Sequence, residues 1–228
     1  MEMLLAIEGI DGSGKGTQTR LIEAQARREG WRVATLSFPR YGETFFADAV
    51  GKYLDGAYGT LDEVPAQFAA LLYAGDRLES LPHLRQLQKN HDLVILDRYV
   101  ASNLAYQAAR ITGSRRQKLL AWIDRLEHEV HGLPRADLTI YFDMPARQAT
   151  ELVHRKQQRS YTRRKADLHE ADLKFLQATR RVYLKLATSR RYGRWHSIAC
   201  TNGSGRTLEP DDICGLAWQR VARELARR

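Results

Sequence analysis

Cysteine is nearly absent from this chain. Only Cys200 and Cys214 occur among 228 residues. They lack metal-ligand spacing, and free thiols in a reducing compartment are expected in preference to a disulfide. No apolar stretch approaches the roughly 18 residues needed to span a bilayer. No basic segment precedes the first apolar run: Met1-Glu2-Met3-Leu4-Leu5 leads straight into a predicted strand and does not read as a signal peptide. The cytoplasm is the default location, and no membrane partner is expected. Internal repeats and low-complexity tracts are also missing.

What is present suits one globular domain over residues 1–228, with 43% hydrophobic and 28% charged residues. The formal net charge of +9 favours anionic partners such as nucleotides or nucleic acid. Short apolar runs alternate with longer amphipathic stretches. Strands are predicted at Leu4–Glu8, Arg32–Ser37, Leu93–Asp97, Leu138–Asp143 and Arg194–Ala199. Helices are predicted at Lys15–Glu29, Phe45–Leu54, Ala66–Gln88 (broken or kinked at Pro82), Ala101–Arg110, Arg115–His131, Arg147–Lys156, Asp167–Ser189 and Asp211–Arg227. This alternation implies an α/β fold with a parallel sheet covered on both faces. The run Leu93-Val94-Ile95-Leu96 reads as a central strand. Ligands in such folds sit beyond the carboxyl ends of the strands. Gly9–Thr17, Phe38–Gly42 and Asp97–Tyr106 all begin there and should converge.

The most informative segment is Gly9-Ile10-Asp11-Gly12-Ser13-Gly14-Lys15-Gly16-Thr17. An apolar run precedes it and a helical pattern follows, which is the setting of a P-loop. Successive backbone N–H groups wrap a phosphate, a helix N-terminus faces it, and Lys15 reaches the outer phosphates. Gly9, Asp11, Gly12, Ser13, Gly14, Lys15, Gly16 and Thr17 are therefore the candidate ATP-binding residues. The usual pattern places a Ser or Thr hydroxyl on Mg²⁺ directly after the lysine. Here Gly16 stands in that place and Thr17 comes one residue late.

One segment stands apart. His154–Lys165 reads HRKQQRSYTRRK and contains no acid. Three readings fit it: a solvated basic face, a nucleic-acid patch, or a lid of about residues 154–167 that carries guanidinium groups to a transferring phosphoryl group.

Four anchors in order give the chain a wider likeness: GIDGSGKGTQ from Gly9, FPRYG from Phe38, LYAGDR from Leu72 and LDRYVASNLAYQAAR from Leu96. From about Leu4 to Glu224 the chain resembles the thymidylate (dTMP) kinases, a family of P-loop nucleoside monophosphate kinases. The resemblance implies a P-loop NTPase-type three-layer fold, with a five-stranded parallel sheet, helices on both faces and a short arginine-rich lid. It also implies a homodimer and the reaction ATP + dTMP → ADP + dTDP, with Mg²⁺ as cofactor and ATP as co-substrate. No stable nucleic-acid partner is expected.

The resemblance also assigns roles. Lys15 neutralises the donor β- and γ-phosphates. Arg98 clamps the acceptor phosphate, a task suited to a planar bidentate donor. Asp97 approaches Mg²⁺ directly or through water, carrying more of the coordination because Gly16 has no hydroxyl. Asp11 accepts from the deoxyribose 3′-OH and touches the acceptor-side metal. Some relatives use an arginine at the place of Gly12 on the transferring phosphate. Here that charge passes to the lid, to Arg155, Arg159 and Arg163 or Arg164. Phe38 stacks on thymine, Arg77 donates to O4, and Asn103 pairs with N3 and a carbonyl. Tyr73 and Tyr106 complete the wall, the Tyr106 ring rejecting a 2′-OH, and Tyr41 lies near the acceptor phosphate or sugar. His169 stands where a nucleotide-covering Tyr is usual. Glu170 is either an outer metal ligand or a surface acid at a helix start. Thr201–Thr207 resembles the loop that lines adenine.

Competing readings remain. A deoxynucleoside kinase would place a carboxylate base after the second strand to deprotonate a neutral 5′-OH; this chain has Phe38-Pro39-Arg40-Tyr41 there. Lys15-Gly16-Thr17-Gln18 is also an adenylate-kinase spelling, but an adenine pocket would not call for Arg77 with Asn103. A non-catalytic nucleotide- or nucleic-acid-binding protein would show salt-dependent DNA binding without phosphotransfer.

Overall fold

The computed structural model describes residues 2–60, 63–159 and 173–227, with the backbone alone for residues 154–159 and 190. Five strands form one parallel sheet: β1 (Met3–Glu8), β2 (Val33–Ser37), β3 (Leu93–Asp97), β4 (Leu138–Asp143) and β5 (Trp195–Ala199), in the order β2-β3-β1-β4-β5. All six residues of β1 are buried. A parallel strand covered on both faces needs such a continuous apolar run. The centre of the sheet belongs to β1, and β3 lies beside it between β1 and β2. The Leu93–Leu96 run is thus a central strand flanked on both sides, as its continuous apolar character implied.

The helices are α1 (Lys15–Arg28), α2 (Phe45–Leu54), α3 (Ala66–Asn90), α4 (Val100–Ala109), α5 (Gly113–Arg125), α6 (Ala146–Arg159), α7 (Leu173–Thr188) and α8 (Pro210–Leu225). Helices α1 and α8 pack together against one side of the sheet, and α3, α4 and α7 against the other. The main apolar core runs between these layers, and a smaller cluster joins α2 to α3 around Val50, Tyr53 and Leu72.

Two expectations change. Pro82 does not break α3, which runs continuously through it. The ladder bond that proline forfeits would have reached Leu78, an exposed position, where an unmet carbonyl costs least. The predicted helix at Arg115–His131 is α5 followed by a π-helical turn over Leu126–Val130. That turn is closed by His131 N–H donating to Leu126 C=O at 2.9 Å.

Parallel register sets the upper rim. Ile7, Ser37 and Asp97 stand level across three strands, so the segments that leave β1, β2 and β3 rise side by side. The convergence expected of Gly9–Thr17, Phe38–Gly42 and Asp97–Tyr106 follows from this.

Candidate active site

The P-loop leaves β1 and turns into α1 at Gly14, which has a left-handed backbone (φ +85°). Gly12 is also left-handed (φ +79°), and a Cβ there would lie 2.1 Å from the Ala149 carbonyl oxygen. Only glycine lets α6 approach the loop so closely. Inside the loop the Lys15 ammonium is buried, donates to Ile10 C=O at 2.9 Å and lies 4.0 Å from Asp11. Burial, with Arg98 nearby, lowers its pKa to about 8.

Asp11, Arg98 and Tyr106 form one cluster. Arg98 makes an ion pair with the Asp11 carboxylate and places its guanidinium carbon 5.4 Å from the centre of the Tyr106 ring. The Tyr106 hydroxyl donates to Asp11 Oδ2 at 2.6 Å and accepts from Asp11 N–H at 3.1 Å. Burial and the neighbouring carboxylate push the phenol well above its usual range, so it stays a donor. Arg98 itself has φ +67°, an uncommon conformation for a residue with a side chain. Its backbone is held by its N–H bond to Ile7 C=O at 3.0 Å and by the next turn, where Glu8 acts. The fully buried Glu8 carboxylate accepts from Tyr99 N–H (2.8 Å), Ser102 N–H (3.1 Å), Ser102 Oγ (2.7 Å) and Tyr183 Oη (2.8 Å). Burial raises its pKa, and these bonds oppose the rise. Glu8 thus satisfies the N-terminal amides of α4 from a distant strand, a task normally left to a local cap.

A cleft opens above this cluster. Asp11, Phe38, Tyr41, Tyr73, Arg77, Arg98, Asn103 and Tyr106, all expected on the acceptor side, line it together, with Pro39, Leu54, Ser102 and Gln107. The loop after β2 is held from α3. Asp76, fully buried, accepts from Arg40 N–H at 3.2 Å and from Thr44 Oγ1 at 2.7 Å. Thr44 in turn caps α2 through Ala47 N–H.

The floor carries polar groups that had no place in the sequence reading. Arg77 pairs with Glu127 through Nε (2.5 Å) and Nη2 (2.6 Å), and both residues are almost wholly buried. Asn103 Nδ2 donates to Glu127 (2.8 Å) and to Ala70 C=O (3.0 Å), while its Oδ1 is buried without a partner. Gln107 gives its oxygen to Arg110, and its buried Nε2 has no partner. A signal for Glu127 exists: an acid four residues after Ile123, on the buried stripe of Leu119, Leu120 and Ile123, needs a partner. Gln107 carried no comparable mark.

On the donor side, Asp97 is half-buried, and its Oδ2 lies 3.5 Å from where a Cβ on Gly16 would stand. A Ser or Thr side chain in that place would sit beside this carboxylate. Asp97 is therefore next to the position a P-loop hydroxyl normally takes on Mg²⁺. Among the described residues no cluster of three metal-ligating side chains occurs. The donor set fits Mg²⁺, which retains waters and relies on one or two carboxylates plus substrate phosphates. Asp11, the other expected metal ligand in view, has its carboxylate engaged by Arg98 and Tyr106. The loop after β5 closes with a bridge between Thr201 and Thr207. Gln148 on α6 donates to Gly205 C=O (3.3 Å), and Gln18 on α1 donates to Pro210 C=O (2.8 Å) just beyond the loop. Arg155 and Arg159 fall on α6, four residues apart, with side chains outside the description. Arg163, Arg164, His169 and Glu170 lie outside the described residues.

Comparison with known proteins agrees with this geometry. A family model described as thymidylate kinase matches residues 7–205. A thymidylate kinase of Mycobacterium tuberculosis is 39% identical over 214 residues, covering 92% of this chain and 99% of its own length. A probable thymidylate kinase of Pyrococcus abyssi is 33% identical over 194 residues, covering 80% and 82% of the two chains. One from Thermococcus onnurineus is 31% identical over 190 residues, covering 81% and 84%. The P-loop on the central strand, the arginine at the β3 rim and these likenesses lead to one conclusion: the chain belongs to the thymidylate kinase family.

Proposed function

We propose that this protein is a thymidylate kinase, transferring the γ-phosphoryl group of ATP to dTMP to give ADP and dTDP. The observation that carries the choice of acceptor is the buried, unpartnered Asn103 Oδ1 beside Arg77 in the cavity wall. An acceptor next to a guanidinium donor matches the N3–H and O4 edge of thymine. Cytosine presents the opposite pattern. Phe38 stacks on the base, Tyr73 flanks it, and the donor Nε2 of Gln107 adds a polar contact.

In this reading Asp11 and Arg98 occupy each other until substrate arrives. The acceptor phosphate replaces the carboxylate at Arg98, and the 3′-OH replaces the guanidinium at Asp11. The attacking group is a phosphate oxygen, already ionised, so no general base is required. The acids nearby suit this: Glu8, Asp11 and Asp76 are each engaged by several donors. A deoxynucleoside kinase would need one of them free. Catalysis then rests on placement and charge. Lys15 holds the donor phosphates against the P-loop amides, Arg98 holds the acceptor in line, and Tyr41 borders the sugar and phosphate. The lid arginines Arg155, Arg159 and Arg163 bring further positive charge. Asp97, with Glu170 further out, would hold Mg²⁺, which when bound withdraws charge from the β- and γ-phosphates.

A homodimer fits the exposed apolar side chains Phe45 on α2 and Phe68, Leu71 and Leu78 on α3. A reducing cytoplasm suits the buried free thiols Cys200 and Cys214. The deciding assay is ADP release with ATP and Mg²⁺ against dTMP, dUMP, UMP, CMP, AMP and thymidine. dTMP should respond strongly, dUMP more weakly, and the others little. Preference for thymidine or AMP would overturn the assignment.

A further inference from the structure

Glu127 lies behind the cavity wall: it is fully buried and absent from the lining. The π-helical turn Leu126–Val130 carries it, and π-turns inside helices often occur at functional sites. One Glu127 oxygen accepts from Arg77 Nη2 and Asn103 Nδ2, and the other from Arg77 Nε. A carboxylate can only accept. It therefore takes the amide nitrogen of Asn103, never the oxygen. The second proton on that nitrogen goes to Ala70 C=O. Both amide protons are spent on Glu127 and Ala70, so Oδ1 is the polar atom of this lining side chain left unbonded. In Arg77 the Nε–Nη2 edge is spent likewise, and Nη1 lies outside the ion pair.

We propose that Glu127 is a positioning residue that sets the reading of the base. By fixing Asn103 as acceptor and Arg77 as donor, it makes the cavity complementary to a 4-oxopyrimidine with a protonated N3. A 4-aminopyrimidine presents the reverse pattern and is refused. The inference rests on the reading that the base sits against Arg77 and Asn103.

The test compares kcat/KM for dTMP with that for 5-methyl-dCMP, which differs from dTMP only at N3 and the 4-substituent. Glu127→Gln keeps the shape but adds an NH₂ donor. Arg77 keeps an oxygen partner, and the Gln NH₂ now opposes Asn103 Nδ2, which favours turning Asn103 over to give its oxygen to Gln and its nitrogen to the base against the hold of Ala70 C=O. The dTMP preference should fall roughly tenfold or more. Both substrates meet the same folded molecules, so lost stability lowers both rates and leaves their ratio unchanged. Asn103→Ala separates the two readings. If it erodes the ratio while Glu127→Gln leaves it within about threefold, Glu127 does not set the code and the base seat stands. If neither moves the ratio, both readings fall. Should Glu127→Gln not fold, hydrogen exchange in the wild-type protein of the Asn103 side-chain amide proton that faces Glu127, resolved by NMR from the one that faces Ala70, decides. Protection retained in the dTMP complex supports the inference, and protection lost on binding overturns it.

Discussion

On the acceptor side, polar side chains are bonded to one another across long stretches of chain: Asp11 to Tyr106, Arg77 to Glu127, Asn103 to Glu127. On the donor side, Gly14, Gly16, Thr17 and residues 202–206 are exposed to solvent. The difference follows from what each half must recognise. A pyrimidine is distinguished by two or three hydrogen-bonding atoms, and discrimination requires those partners to be fixed before binding. A triphosphate is recognised by charge and by backbone amides, which any P-loop supplies once its turn is formed.

Lys15 gives the sharpest test of the donor half. Its pKa near 8, against an ordinary 10.5, means that burial and Arg98 penalise its charge in the empty protein. Below pH 8 both folded and unfolded chains hold the proton, and the full penalty stands, at most about 3 kcal/mol. Between about 8 and 10.5 the unfolded chain binds the proton and the folded one does not, so stability rises with pH through that window. Lys15→Met should lower kcat/KM for ATP by about a thousandfold. It should also stabilise the empty protein against urea at pH 7, by up to about 3 kcal/mol, with the gain shrinking toward pH 10. A variant less stable at pH 7 would mean that its bond to Ile10 outweighs the buried charge.

Arg98 tests the acceptor half. Arg98→Ala removes the proposed phosphate clamp and leaves Asp11 with the Tyr106 hydroxyl and the nearby Lys15 ammonium. We expect kcat/KM for dTMP to fall about a hundredfold, with the KM for ATP nearly unchanged. Less than a threefold change in the dTMP value would remove Arg98 from the site. A parallel loss of ATP affinity would show that the two halves are not separable.

These two residues were legible in the sequence because each stands at a strand end in a local pattern: Lys15 in the glycine-rich loop, Arg98 directly after Leu93–Asp97. The strands were legible for a similar reason, since a doubly covered parallel strand must be a short apolar run. Glu127 was legible only as a buried acid on its helical stripe; its partner Arg77 is fifty residues away, and no local period encodes such a pairing. At Pro82, where a break or a kink was expected, α3 is not broken: a local breaker yielded to its tertiary context. Gly12 was readable as a turn residue, but its contact with Ala149 exists only once α6 is in place.

That contact supplies a medium-sized prediction. Gly12→Ala places a Cβ against the Ala149 carbonyl on a backbone with φ +79°. The left-handed conformation costs about 1–2 kcal/mol, and crowding against backbone adds to it. Thermal melting should drop by roughly ten degrees, since about 1 kcal/mol shifts a chain of this size by 2–4 °C. An unchanged melting temperature would show that α6 moves aside freely and that the donor half is looser than the packing implies.

The smallest effect concerns Tyr106, where the two halves meet. Its ring packs beside Arg98, Phe175 and Tyr183, while its hydroxyl holds Asp11. The observed tether on the P-loop acid is thus joined in one residue with the proposed wall against a 2′-OH. The pair dUMP and UMP differs only in that hydroxyl. Tyr106→Ala should lower the preference for dUMP about tenfold. Tyr106→Phe keeps the wall and cuts the tether, so discrimination should stay within about threefold of wild type while both rates fall. If Phe loses discrimination as Ala does, the tether rather than the ring excludes the ribose. The acceptor half would then owe its selectivity to a residue of the phosphate loop, and the division between the halves would fail at that point.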